Sequence, residues 1–331
     1  MIENRFYDRI DKIDDIGKLS ELACREYNLG DYIDTSIIEI GYEDFNAIIT
    51  TSTGKYFMKV FRNSRDDNEV REVIKRAYVA EQNGVKSPKI YKNKNGKIVT
   101  NINYEDSRFR LAMMQYIDGS NFFELNREAT IEELRRISDL GSSMNKIKYK
   151  PNFIYDSWAI TSFVEELEKK QQYISKEHLK LIQPIYNKFK EFNYSSLPKA
   201  FVHGDITQIN LMQDKNEEFW AIDFSVSNYT ARLNEIIIIC NNFAVIPGNK
   251  LESEKRIKIA FEQWAKGVNA TDLERKSFQL LFDVANAIYL VNPSYETAMG
   301  NDSEENKMFF RLGTFGLSLD VDMKKEIDSE R

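Results

Sequence analysis

The chain is predicted to take an α+β fold in which a small β-rich region precedes a larger, mostly helical one. Three observations carry this expectation. Between Ser36 and Phe61 the stretches SIIEI, NAIITT and KYFMKVF are separated by turn compositions at 41–44 and 52–54. Beyond Ile117-Asp118-Gly119, apolar residues recur at helical spacing through most of the remaining chain. A hydrophobic share of 42% in 331 residues provides material for more than one core.

In chain order, Ile16, Leu19, Leu22 and Ala23 predict a helix from Asp15 to Asn28, with Gly30 as its stop. A strand and a hairpin follow over Ser36 to Phe61. Asp66 to Gln82 reads as a charged amphipathic helix with Val70, Val73, Ile74, Ala77 and Tyr78 on one face, ended by Asn83-Gly84. Three further strands are expected at Lys89 to Tyr91, Lys97 to Ile102 and Arg110 to Tyr116. Helices are then expected over 131–146, 157–173, 177–192, 252–266, 272–290 and 303–315. One β-like island, Ala200 to Phe224, interrupts them, with VHGD, NLMQD and FWAIDF alternating with turn residues. The expected division is therefore 1–116 and 117–331.

Composition excludes several classes. A net charge of −6 leaves no chain-wide basic footprint, so no nucleic-acid partner is expected. Cys24 and Cys240 stand alone, which rules out a disulfide framework or a zinc knuckle and suits a reducing cytoplasm. The acid-rich start does not read as an export signal, and the longest aliphatic run, Ile236 to Ile239, is too short to span a bilayer, so no membrane partner is expected. With only two histidines, a metal would be held by oxygen ligands, as Mg2+ is.

The informative segment is Val202-His203-Gly204-Asp205-Ile206-Thr207-Gln208-Ile209-Asn210, followed thirteen residues later by Asp223 in Ile222-Asp223-Phe224. Phosphoryl transfer asks a protein for a carboxylate that orients and deprotonates a hydroxyl, and for oxygen ligands to a metal. Asp205 suits the first role, and Asn210 with Asp223 the second. The short loop lets its first carboxylate face an acceptor while its last residue reaches back to a cation.

This segment resembles the catalytic and metal loops of the aminoglycoside phosphotransferase superfamily, which includes choline kinases and type II homoserine kinases. The run from Asp223 to Val245 is most similar to the homoserine kinase branch. The resemblance implies a two-lobed protein-kinase-like fold, with a five-stranded antiparallel amino-terminal lobe, a helical carboxy-terminal lobe and the nucleotide between them. It implies Asp205 as catalytic aspartate, Asn210 and Asp223 as Mg2+ ligands, and a packing role for His203. Lys59 would contact nucleotide phosphates. Independently, it stands on a strand beside Phe57 and Phe61, an awkward place for a charge unless an anion meets it. Its helix partner would be Glu69 or, preferentially, Glu72. Gly41 to Asn46 occupies the place of the nucleotide-covering turn, with a single glycine, and Met113 to Gly119 that of the hinge, where backbone groups from Gln115 to Ile117 would meet the base. Where members carry an Asp in a D-L-A sequence, this chain departs with Glu235 in Asn234-Glu235-Ile236.

The expected activity is transfer of the γ-phosphate of ATP or GTP to a small hydroxylated acceptor by a monomer or homodimer. A homoserine-like, antibiotic, choline or sugar acceptor stays open, as does a nucleotide-binding regulatory protein without turnover. Residues 1–116 hold 19 basic and 19 acidic side chains against 27 and 33 beyond, so the whole negative balance lies in the larger region, where a cationic acceptor would be welcome.

Overall fold

The computed structural model describes residues 10, 13, 15–38, 44–104, 106–321 and 323. It divides into two compact units, one of residues 1–120 and 212–225 and one of residues 121–211 and 226–331.

The first unit begins with helix α1 (Ile16–Tyr27). The Asp15 side chain caps it by accepting from the N–H groups of Gly17 and Lys18, and Asn28, at φ 52°, closes it in the left-handed region two residues before the expected stop. Strands β1 (Tyr32–Ile38), β2 (Phe45–Thr51), β3 (Gly54–Val60), β4 (Thr100–Tyr104) and β5 (Ser107–Gln115) form an antiparallel sheet in the order β1-β2-β3-β5-β4. Alternation along β2, β3 and β5 sends Ala47, Ile49, Met58, Val60, Leu111 and Met113 into one core with Leu19, Ala23 and Tyr27 of α1. The stretch expected as a strand at Lys89 to Tyr91 makes only an isolated bridge, Ile90 to Met114. Helix α2 (Asp67–Gln82) opens with a capping box between Asp66 and Glu69.

Strands β6 (Gly119–Asn121), β8 (Leu211–Asp214) and β9 (Phe219–Ala221) form a small sheet in the order β6-β8-β9. Gly119 is required there, because a Cβ at that position would lie 2.1 Å from the Gln213 carbonyl oxygen. Backbone cannot yield as a side chain can. Gly119→Ala is therefore expected to destabilise the fold by about 1–3 kcal/mol, read as a lower urea midpoint.

The second unit is helical around a two-stranded ribbon. Its helices are α3 (Phe122–Leu125), α4 (Ile131–Met144), α5 (Phe163–Lys170), α6 (Lys176–Glu191), α7 (Leu233–Ile239), α8 (Lys250–Val268), α9 (Asp272–Ala298) and α10 (Glu304–Gly316). Strand β7 (Lys199–Val202) pairs antiparallel with β10 (Asn228–Ala231). The interior is anchored by Trp264, fully buried, whose indole N–H donates to Asn145 (2.8 Å), while the Asn145 amide donates to the Phe201 carbonyl of β7 (3.0 Å). The helix expected over 157–173 is instead 3₁₀, α and 3₁₀ in succession. Helix α9 runs past the expected end at Leu290 and through Pro293. Pro293 lacks the N–H that would meet the Tyr289 carbonyl. The turn persists because it is buried, with Ser294 donating to the Leu290 carbonyl (2.6 Å) and Asn292 to that of Ser157 (2.9 Å). A π-turn, Cys240–Ala244, extends α7. No helix among the described residues is long and apolar enough to cross a membrane.

Candidate active site

In the first unit, the alternation that buries Met58 and Val60 turns Lys59 to the opposite face of β3. Its ammonium, on a side chain 10% exposed, lies 3.4 Å from Asp44 Oδ2 and 3.5 Å from Asp223 Oδ2. Burial alone would strip that charge. The Asp223 and Asp44 carboxylates outweigh it and, against the like charge of Arg65, hold the Lys59 pKa above its ordinary value. Asp44 is itself braced, its Oδ1 accepting from the Arg62 N–H and Arg65 Nε at 3.2 Å each. Asp223, with a side chain 40% exposed, stands at φ 58° and accepts from the Ser225 N–H (3.1 Å). Arg76, fully buried on α2, donates to the Ser225 carbonyl (3.4 Å) and so ties that helix to the Asp223 turn.

Both glutamates expected beside Lys59 lie in the first half of α2. Glu69 accepts from the Asp66 N–H (2.9 Å) in the capping box, and Glu72 lies 3.7 Å from Lys75, one helical turn away. Asp44 is the carboxylate that sequence reasoning missed beside the lysine. It sits just after residues 41–43 of the expected covering turn, which lie outside the described residues. At the end of β5, the Gln115 N–H donates to the Lys89 carbonyl (2.8 Å) and its side-chain oxygen accepts from the Lys89 N–H (3.3 Å). That backbone donor is committed within the unit. Ile117, 6% exposed, lies just beyond the strand.

In the second unit, residues 203–210 form a tightly bonded loop after β7. Asn210 Nδ2 donates to the Asp205 carboxylate (Oδ2, 2.6 Å) and to the Asp205 carbonyl (3.2 Å). The Asp205 N–H donates to His203 Nδ1 (3.2 Å), which leaves the proton of a neutral ring on Nε2. His203 is fully buried, and Gly204 sits at φ 82°, where a glycine is needed. Glu235 of α7, fully buried, clamps the loop. Its Oε2 accepts from the His203 N–H (2.6 Å), and the Gly204 N–H also bonds it. Burial pushes the Glu235 carboxyl up to about 8 despite those two donors. The sequence places Glu235 where the family carries Asp, and it braces the loop rather than facing solvent.

Tyr289 of α9 was not foreseen. Burial, with the Asp205 charge adding to it, pushes its phenol up to about 12 against a hydrogen bond from the Asn242 side chain on the π-turn. Gln208 of the loop donates to the Asn242 carbonyl (2.8 Å). The Tyr289 ring packs with Phe309 at 5.2 Å and Trp158 at 6.2 Å between centroids. The Asn-Asn pair after the isoleucine run was the available signal, and a π-turn is a frequent mark of a functional segment.

The donor chemistry fits Mg2+. Spending Nδ2 on Asp205 leaves Asn210 its side-chain oxygen, and Asp223 offers a half-exposed carboxylate. Among the described residues no group of three or more His, Cys, Asp or Glu is placed to hold a metal alone.

Residues 34–262 match the phosphotransferase enzyme family. The chain is 22% identical over 222 residues to a homoserine kinase of Methylobacillus flagellatus, a match spanning 66% of either length. Among solved structures, it resembles an amicoumacin kinase in complex with AMP-PNP, Ca2+ and its ligand (TM-score 0.67, 15% identity, 94% of this chain and 96% of that one). It also resembles a spectinomycin phosphotransferase in complex with ADP and spectinomycin (0.65, 13%, 91% and 97%). A choline kinase from Streptococcus pneumoniae gives 0.57 at 10% identity, over 91% and 98%. These likenesses show a protein-kinase-like fold, with its five-stranded antiparallel sheet followed by a largely helical region.

Proposed function

We propose that this chain, which belongs to the phosphotransferase enzyme family, transfers the γ-phosphoryl group of ATP or GTP to a hydroxyl of a small acceptor. The observation that supports this most directly is the Asp205 carboxylate held at 2.6 Å by Asn210 in a loop clamped by Glu235. In this reading Asp205 accepts the proton of the acceptor hydroxyl and aims its oxygen at the phosphorus. Lys59, kept charged by its carboxylates, meets nucleotide phosphate oxygens. Asn210 and Asp223 would hold Mg2+, which when bound neutralises charge on the transferring phosphate. The base is met by backbone groups from Gln115 to Ile117, the Gln115 N–H being engaged by the Lys89 carbonyl.

A homoserine-like acceptor is favoured by the curated relative, and an aminoglycoside-like one by the resemblance to antibiotic kinases. Release of ADP over a panel of amino alcohols, aminoglycosides, choline and sugars, with Mg2+ present, decides among them. No turnover over the whole panel, with nucleotide binding intact, would turn the reading to a regulatory protein. Asp223→Ala is expected to weaken magnesium-dependent nucleotide binding at least about tenfold. A fluorescent nucleotide titrated with and without Mg2+ measures it, and an unchanged metal dependence removes Asp223 from the metal role.

A further inference from the structure

We propose that a cavity beside the Gly204–Asp205 step receives the non-reacting end of the acceptor, and that Asn234 there reads a second hydrogen-bond donor on that molecule. The inference rests on the phosphotransferase reading above.

The cavity measures about 90 Å³ and is walled chiefly by Ile160, Val202, Gly204, Val226, Asn234 and Ile238. Most of that surface is hydrocarbon. Two of its other polar side chains are employed within the fold. The Asn228 side chain donates to the Ile154 carbonyl (2.8 Å) and accepts from the Ile154 N–H (3.0 Å), and the Thr230 hydroxyl meets the Tyr194 phenol (2.9 Å).

Asn234 differs. It is 6% exposed, and its Nδ2 donates to the Tyr194 oxygen (2.8 Å), but its Oδ1 is buried with no partner. Leaving a buried acceptor unmet is costly, and folded proteins rarely keep one without a use. Its chain neighbour Glu235 grips the N–H groups of His203 and Gly204. The unmet oxygen therefore belongs to the turn that sets Asp205 in place.

Size defines the ligand further. A cavity that holds benzene measures about 150 Å³, so this one takes an end group and not a whole drug-sized body. A donor on a short carbon spacer fits: the spacer covers the aliphatic walls and the donor meets Asn234, while the reacting hydroxyl extends toward Asp205. Exposed aromatic rings at the rim, Phe153 at 74% and Tyr229 at 41%, leave room for a larger body outside. The donor is an amine N–H or a hydroxyl O–H.

Three probes with the same three-carbon chain distinguish these: 3-amino-1-propanol, 1,3-propanediol and 1-propanol. Transfer from ATP to each is measured, and binding is followed through the Gly204 and Asn234 amide resonances of 15N-labelled protein. The amine or the diol is expected to exceed 1-propanol at least about tenfold in affinity and in kcat/KM. Asn234→Leu should erase that advantage. Asn234→Asp, which replaces the amide donor to Tyr194 with an oxygen to which the Tyr194 hydroxyl can donate, should favour the amine over the diol. Equal use of all three probes by the wild type, or an advantage that survives in Asn234→Leu, overturns the assignment and leaves the kinase reading standing. Binding that depends on Asn234 with no transfer to any probe overturns the kinase reading and leaves the pocket. Absence of both binding and transfer overturns the pocket.

Discussion

Asp205→Asn is expected to lower turnover by about 10²–10⁴-fold while the KM for nucleotide stays within about twofold. The amide has the shape of the carboxylate and can still meet Asn210, so the loop that Glu235 clamps keeps its geometry. What it loses is basicity. An amide oxygen cannot take the proton that the acceptor hydroxyl must release, and it supplies no negative charge to orient that hydroxyl. The nucleotide makes its proposed contacts through Lys59, Asn210 and Asp223, none of which is altered. Single-turnover phosphate transfer and a separate nucleotide titration test the split. Equal losses in both would remove Asp205 from proton transfer and make it a binding residue.

The parts of this arrangement that were legible in the sequence are those carried by local pattern. The placing of Lys59 on one strand face with Phe57 and Phe61 already marked a charge that needs an anion, and His203 to Asn210 kept its functional groups within one loop. Helix ends were legible to within a residue or two where a cap exists, as at Asp15 and Asp66. What was not legible depends on chain segments meeting from far apart. Asp44 reaches Lys59 across the β2–β3 pairing, and nothing in Glu72 or Glu69 announced that one would sit by Lys75 and the other close a capping box. Tyr289 lies 84 positions beyond Asp205, inside a helix whose apolar pattern reads as core and whose expected end was the next residue, Leu290. The unmet oxygen of Asn234 is a property of packing alone.

Glu235 carries the second large effect, on stability and its pH dependence. Unfolded, its carboxyl titrates near its ordinary value of 4.5, whereas in the fold it is pushed up to about 8. The folded protein therefore keeps a proton that the unfolded chain has released, and stability falls as pH rises from about 4.5 to about 8, then levels off. At about 1.4 kcal/mol per pKa unit the full span is on the order of 5 kcal/mol. Glu235→Gln accepts the same backbone bonds through its carbonyl and has no proton to lose, so it should match the wild type near pH 5 and exceed it near pH 8.5. Urea midpoints of the two proteins across that range measure the divergence, and parallel curves would show that Glu235 is buried as its anion. Glu235→Ala has the opposite effect at every pH. It deletes the acceptor for the His203 and Gly204 N–H groups, at about 1–3 kcal/mol for each donor left unmet. Because those donors sit one and two residues before Asp205, turnover should fall along with the urea midpoint, whereas Glu235→Gln should keep most of its activity.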